Sequence, residues 1–444
     1  MSKLIKIKKG LDLKLLGGLS EQVAALTITS KDFAIVPDDY HGFTPKLIKK
    51  EGEHVLAGEA VLHDKNQPEI VIASPVSGTV TSVVRGARRK IEYVAITADD
   101  RQEHQSFDKK DLTDAKSALL KSGLWATFRQ RPYGIVPSTE KSPRDIFIST
   151  FDSSPLAPSH TLLLNDNEEF FNKGIEVLSR LTDGKVHIGC REEAVYEAAQ
   201  AETTVFCGPH PAGNAGTQIS AIKPVNKGET VWAIEPETVV KIGQLFENGF
   251  VDHTCMVAVT GEMVKKPMVV KTTEGIKIAD IVADNISDGN KARIISGNVL
   301  TGTNVGLDGY LRFPFRQVTV IPEIINDCEM LGWASLSTKK YSASHTFFSW
   351  LAGKNKRYHF DAKINGGERA IIMAGEYDKV FPMDIYAEFL IKAIIARDID
   401  KMEQLGIYEV VPEDFALCEF IDTSKLELQK IVREGLDYLR KEMN

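Results

Sequence analysis

Three stretches of the chain combine residue types and spacing that could do chemistry. The first is Asp64-Lys65, an acid–lysine pair before a polar turn. It lies among short β-type runs separated by Gly52, Gly58, Gly78 and Gly86. A lysine on a hairpin tip can carry a covalent swinging arm, and an unmodified one is simply solvated. The second is GPHPAGNAGTQI, residues 208–219, after a β-type run ending near Val205. A glycine loop there could offer backbone N–H groups to a phosphate. It lacks the GxGxxG spacing, no GK[ST] follows, and Pro209 and Pro211 remove two donors. It reads as a rigid structural or docking loop. His210, between the prolines, could serve as a ligand or carbonyl donor, or bond to nearby backbone. The third, ISGNVLTGTNVGLDG at 295–309, has Gly297, Gly302 and Gly306 where turns and close backbone approach are expected.

Catalytic constellations are missing. There is no G-x-S-x-G, no HExxH and no cysteine with an evident partner histidine. The 10 histidines have no metal-ligand spacing. Cys190, Cys207, Cys255, Cys328 and Cys418 are odd in number and form no CxxC, which argues against a disulfide framework, a zinc site or an iron–sulfur site. A reducing cytosol suits such a chain. It reads as a scaffold or binding subunit.

Over 444 residues, about three domains are expected. Hydrophobic residues make up 43% and charged residues 26%, an ordinary soluble composition. The net charge of -7 argues against a nucleic-acid partner. The basic run Arg85, Arg88, Arg89, Lys90 reads as a solvated strand end or turn. The N-terminus lacks the apolar core of a signal peptide. No apolar run approaches the ~18 residues of a membrane span.

Periodicity supplies the elements that must position these residues. Ile5 and Ile7 suggest an edge strand. Val76, Val80 and Val84 share one strand face by period two. Asp114 is a plausible N-cap for a helix through Phe128. Strands at 145–150, 160–164, 185–188 and 204–206 alternate with helices at 168–181 and 192–201, which predicts a parallel, Rossmann-like α/β sheet. Phe171, Ile175 and Leu178 form the apolar stripe of the first of these helices. Two short strands around Gly261, a helix over 278–286 and a strand over 292–296 make a small α+β unit of the β-grasp kind. Residues 364–385 read as an extended connector, whose Glu368, Arg369 and Glu376 could meet a partner. Pro382 opens a helix through Arg397, with Tyr386, Phe389 and Ala393 on one side. A second helix, 400–405, is closed by Gly406. A third starts at Ser424 with Glu427 as a capping box and runs to about Lys441.

The segment from Lys49 to Ile96 resembles the biotinyl/lipoyl carrier domains. Taken whole, the chain resembles the NqrA family of the Na+-translocating NADH:quinone reductases. The residues that carry this are IKIKKGLDL, SPVSGTV with RGARR, SGLWATFRQRPY, GPHPAGNAGT, RIISGNVLTGT, GEYDKVFPMDI and DFALCEF, in the family's order. The C subunit of the Rnf electron-transport complex is a less close relative, and the flavin-binding subunit of respiratory complex I is more distant.

The resemblance implies a multidomain α/β and α+β fold. Its expected units are a lipoyl-like barrel-sandwich domain at 1–100 and a Rossmann-like domain at 101–256. A β-grasp, SLBB-like domain follows at 257–330, then a connector and helical bundle at 331–444. It implies a peripheral subunit on the cytoplasmic face of the bacterial inner membrane, in a six-subunit complex with partners B to F, contacting a membrane subunit. That complex reduces ubiquinone or menaquinone and exports Na+. Quinone is then the substrate; FAD, FMN, riboflavin and iron–sulfur belong to other subunits, and none is expected on this chain. No S-x-A-T flavinylation context occurs here. The sequence departs from family pattern at Asp422, where a cysteine is usual, and at Gln218 and Ser220, where a GTHIH segment has histidines. Two stretches suit a quinone, which needs an apolar wall and carbonyl donors. One is IVPDDYHGF (35–43), with Tyr40, His41 and Phe43. The other is RQRPYGIVP (129–137), with Arg131 and Tyr133. The alternatives are an Rnf-type subunit, a carrier modified at Lys65, and a self-sufficient flavoprotein dehydrogenase.

Overall fold

The computed structural model describes residues 3–20, 25–158, 164, 166–323, 338, 340–353 and 355–443. Two six-stranded sheets, a four-stranded sheet and a three-stranded sheet are present among them. The first six-stranded sheet has the order Lys3–Lys6, Ala201–Cys207, Val186–Cys190, Ile146–Ser149, Val231–Ile234, Arg129–Arg131. Five strands run parallel and the edge strand Arg129–Arg131 runs antiparallel. The strands Val186–Cys190 and Val231–Ile234 are buried along their whole length, as in a helix-covered parallel sheet, with His187 the polar exception. The helices Glu168–Leu178 and Pro236–Asn248 pack together over it, and Phe171, Ile175 and Leu178 are buried as the stripe predicted.

The second six-stranded sheet orders Thr303–Asn304, Ala292–Ser296, Gln317–Pro322, Thr254–Thr260, Met268–Thr273 and Ala25–Thr27. Its hairpin, the helix Ile278–Val282 and the returning strand Ala292–Ser296 match the expected α+β unit. The strands Asp32–Ile35, Ile91–Ala98, Gly78–Arg85 and His54–Val55 form one sheet of the barrel-sandwich, and Pro45–Leu47, Ala60–Asp64 and Val71–Ala73 the other. Two strands of the described N-terminal residues belong to neither of these two sheets. Lys3–Lys6 extends the α/β sheet and Ala25–Thr27 extends the second six-stranded sheet. One continuous apolar core runs through the barrel-sandwich, the α/β unit and the second six-stranded sheet, and another fills the C-terminal bundle.

Several sequence expectations are corrected. No helix forms over 192–201. The ten residues between Cys190 and Ala201 make a turn at Arg191–Ala194, an irregular stretch and a second turn at 199–200, anchored where Tyr196 packs on Phe171. A helix of that length advances only ~15 Å and leaves no residues for the two connections. The helix capped by Asp114, which accepts from Ser117 N at 3.1 Å, ends at Lys121 and not at Phe128. Gly123, at φ +78°, lies against Ala73, and a 3-10 turn over Leu124–Thr127 follows. Val76 and Val80 are buried, but a bulge between Val80 and Ser82 turns Val84 partly outward. The strand expected at 160–164 falls largely outside the described residues, as does Cys328.

The C-terminal bundle shifts two helix starts. The helix expected from Pro382 begins at Ala387. It buries Leu390, Ile391, Ala393 and Ile394 but exposes Tyr386 and Phe389, so the three residues expected on one face divide between two. The last helix spans Leu428–Met443. Ser424 is buried and donates to Ala370 O at 3.2 Å, while Glu419 accepts from Gln429 N at 2.8 Å. The first-turn amide is thus satisfied from the neighbouring helix, and Ser424 is no N-cap. Asp422 is buried, and its carboxylate accepts from the N–H groups of Ser424 and Leu426 at 3.0 and 2.9 Å.

Candidate functional site

The glycine loop at 208–219 spends its donors on itself and its neighbours. His210 N donates to Asp12, Ala212 N to Pro209 O, Gly213 N to Ser153 Oγ and Asn214 N to Pro211 O, all near 2.9 Å. The His210 ring is buried, with Nδ1 at 3.0 Å from Ser153 Oγ. A phosphate would find these amides already engaged, which agrees with a structural loop. Gln218 is likewise buried, donating to Ser149 Oγ and Ala212 O.

Lys65 stands exposed at the turn between Ala60–Asp64 and Val71–Ala73. Asp64, not Lys65, builds this turn: its buried carboxylate accepts from Thr44 N, Asn66 N and Gln67 N at 2.6 to 2.9 Å.

The stretches 35–43 and 129–137 are neighbours, joined where Val136 N donates to His41 O at 2.8 Å. Their side chains point to three different places. His41 and Tyr133 lie over the C-terminal bundle. His41 Nε2 is 3.0 Å from Asp437, which also pairs with Arg433 at 2.8 Å. Tyr133, at φ +80°, meets Tyr408 edge-on at 6.4 Å. Phe43 is buried in the apolar core. Arg131 is almost fully buried, donating to Asp414 at 2.7 Å, to Glu409 O at 2.8 Å and to Glu413 at 3.1 Å. Burial alone would lower its pKa, but Asp414 and Glu413 outweigh it and keep the guanidinium charged. Its side chain ties the sheet edge to the bundle.

Tyr40 faces inward. Its ring stacks on Phe313 with centroids 5.2 Å apart and planes 3° apart. Arg129 lies 5.3 Å from the same Phe313 ring, donates to Asp39 O, and leaves its buried Nη1 without a partner. Asp39 fixes the Phe313 loop by accepting from Arg312 Nε at 2.7 Å and Phe313 N at 2.9 Å. Burial pushes the Tyr40 hydroxyl pKa up, so it stays a neutral donor.

Tyr40 borders a small, partly open cavity of about 60 Å³ where the barrel-sandwich, the α/β unit and the second six-stranded sheet meet. Ile35, Ile72, Pro75, Leu124 and Leu311 give it apolar walls. Its polar end is a buried cluster: Lys241 pairs with Glu274 at 2.6 Å, His253 Nδ1 with Glu274 at 3.1 Å, and Arg316 with both Glu237 and Glu274. Burial would raise the Glu274 carboxyl, but Lys241 and Arg316 outweigh it and hold it well below the usual carboxylate range. Sequence reasoning missed this cluster. One signal was available: Thr238, Lys241, Ile242 and Leu245 fall at i, i+3, i+4 and i+7 of one helix, so Lys241 stands on a buried stripe.

In the α/β sheet the strand order reverses between Ile146–Ser149 and Val231–Ile234. Ligands of such sheets lie at the carboxyl ends of the strands on either side of this reversal. Here those ends lead into Asp152 and Glu235, with Glu413 of the bundle close enough to act on Glu235. Glu235 reaches solvent, yet protein surrounds it so closely that burial, then Glu413, pushes its pKa up to about 7. Arg129, Arg131 and Arg316 act on the same carboxylates, so the crevice carries charges of both signs.

No helix among the described residues is long and apolar enough to cross a membrane. Three family profiles match the chain: an NqrA N-terminal barrel-sandwich hybrid domain over residues 5–99, an NqrA second alpha/beta domain over 110–251, and an NQRA C-terminal domain over 256–306. Curated relatives match almost end to end. The A subunit of the Na(+)-translocating NADH-quinone reductase of Rhodopirellula baltica is 36% identical over 98% of both chains. Proteins of the same description from Neisseria meningitidis and Serratia proteamaculans are 35% and 36% identical over 99% of this chain and 100% of theirs.

Proposed function

From the premise that the chain belongs to the NqrA family of the Na+-translocating NADH-quinone reductases, we propose that it is the peripheral subunit of such a complex and contributes to quinone reduction coupled to Na+ export. The full-length match at 36% identity carries this reading. The complex has six subunits, with partners B to F, and sits on the inner membrane with this chain on its cytoplasmic face. FAD, FMN, riboflavin and iron–sulfur belong to the other subunits. Quinone, ubiquinone or menaquinone, is the substrate this chain meets.

Among the five expected contacts, Tyr40 opens onto a cavity with apolar walls and a charged end, and we assign quinone contact to it first. His41 and Tyr133 offer a second face over the bundle. The guanidinium of Arg131 and the ring of Phe43 are engaged in structure and act by holding the two loops. The units 1–100, 101–256, 257–330 and 331–444 remain the proposed domain division, with Lys3–Lys6 paired to the sheet of the second unit and Ala25–Thr27 to that of the third.

The assembly is tested by affinity capture of the tagged chain from detergent-solubilised membranes. Co-purification of NADH-dependent quinone reductase activity and of an integral-membrane partner is expected. Recovery of the chain alone, from membranes that contain the active complex, contradicts the proposal.

A further inference from the structure

The cavity beside Tyr40 has more donors and acceptors than its walls satisfy. His253 is nine-tenths buried, and its Nε2 has no hydrogen-bond partner. Lys241 is buried too. It pairs with Glu274 at 2.6 Å, and the other N–H groups of its ammonium have no hydrogen-bond acceptor. Both residues line the cavity. Unsatisfied buried polar groups of this kind cost about 1–3 kcal/mol each unless a ligand or water meets them.

The charges decide what sort of ligand. Lys241, Arg312 and Arg316 are matched by Glu274, Asp39 and Glu237 within ion-pair distance. With each cation that lines the cavity paired in this way, the site suits an uncharged occupant. Nδ1 of His253 is taken by Glu274, so the free Nε2 and the Lys241 ammonium present an acceptor and a donor when the imidazole is neutral. The apolar walls favour a flat carbon skeleton beyond the polar end. A volume near 60 Å³ holds about four waters or one edge of a six-membered ring.

We propose that this cavity binds the oxygen-bearing edge of a quinone or quinol ring, with Lys241 and His253 as the polar contacts and Tyr40 at its border. A quinone oxygen accepts from Lys241, and a quinol hydroxyl also donates to His253 Nε2. Glu274 positions both residues by pairing with each of them. The inference rests on the reading that this chain meets quinone, and adds the residues that would recognise its oxygen.

The test is calorimetric titration of the purified full-length chain with ubiquinone-1, for the wild type, Lys241→Met, His253→Gln and, as a control outside the cavity, Lys65→Arg. A photoreactive azido-quinone, mapped by peptide mass spectrometry, gives a readout independent of the variants. Loss of a charged donor weakens binding about tenfold or more. The expected result is a tenfold rise in Kd for Lys241→Met, a smaller rise for His253→Gln, none for Lys65→Arg, and label on peptides containing residues 34–40 or 238–253. Wild-type binding with a Kd unchanged in folded Lys241→Met and His253→Gln, or label only outside those peptides, overturns the site while leaving quinone binding intact. Should either variant fail to fold, the label decides. No binding by the wild type overturns both.

Discussion

Arg131 and Asp414 meet at 2.7 Å with side chains 3% and 2% exposed, and this pair fastens the edge strand of the α/β sheet to the C-terminal bundle. A buried pair of this kind contributes little over an apolar replacement, but breaking it strands a charge. Arg131→Met leaves Asp414 uncompensated and is expected to destabilise the chain by about 3–5 kcal/mol in urea unfolding. A loss below about 1 kcal/mol would mean that the bundle docks by other contacts.

The helices Glu168–Leu178 and Pro236–Asn248 approach through glycines. A Cβ on Gly174 would strike Val239 O, and one on Gly243 would strike Phe170 O. Alanine gains up to about 1 kcal/mol of helix propensity at such positions, and overpacking costs about 1–3 kcal/mol. Gly174→Ala and Gly243→Ala are each expected to lower Tm by a few degrees. A rise in Tm for either would show that the helices separate without strain.

Glu235 predicts a pH dependence. Its folded pKa is raised from 4.5 to about 7, so between these values the folded state binds more protons than the unfolded state. Stability from this group therefore falls as pH rises from 4.5 to 7 and is level above that. Its exposure to solvent screens the effect to about 1 kcal/mol. Glu235→Gln is expected to be more stable than wild type at pH 8 and equal to it at pH 4. An unchanged difference between the two pH values, measured by urea midpoints, would contradict the shift.

Lys65 separates this account from the carrier alternative. Peptide mass spectrometry is expected to find it unmodified, and Lys65→Arg is expected to leave quinone reductase activity of the complex unchanged. A lipoyl or biotinyl adduct on Lys65 would restore the carrier reading. The purified chain should also lack flavin absorbance and show no NADH turnover alone; a yellow, active chain would favour the dehydrogenase reading.

What the sequence made legible was local. The strand Ala292–Ser296 and the helix starting at Glu168 follow from short-range apolar periodicity, and the strand's partners, Thr303–Asn304 and Gln317–Pro322, also lie near it in the chain. The helix misread at 192–201 has helix-forming residues, and tertiary anchoring of Tyr196 overrides that propensity. Lys3–Lys6 and Ala25–Thr27 pair with strands about 200 and 240 residues away, which no local pattern announces. The site divides in the same way. Tyr40, His41, Phe43, Arg131 and Tyr133 stood out because aromatic and cationic residues cluster in two short loops, yet only the fold separates the engaged ones from the open one. Lys241 and His253, 12 residues apart, meet Glu274 and Arg316 from two further segments, and the four are related only through burial.

The central claim is that this chain takes part in quinone reduction by the Na+-translocating complex, and membranes from cells lacking the chain test it most directly. Na+-stimulated reduction of ubiquinone-1 by NADH is measured before and after adding back the purified protein. The account predicts that this activity is lost without the chain and restored by the wild-type protein. Undiminished Na+-stimulated quinone reduction in its absence would contradict it.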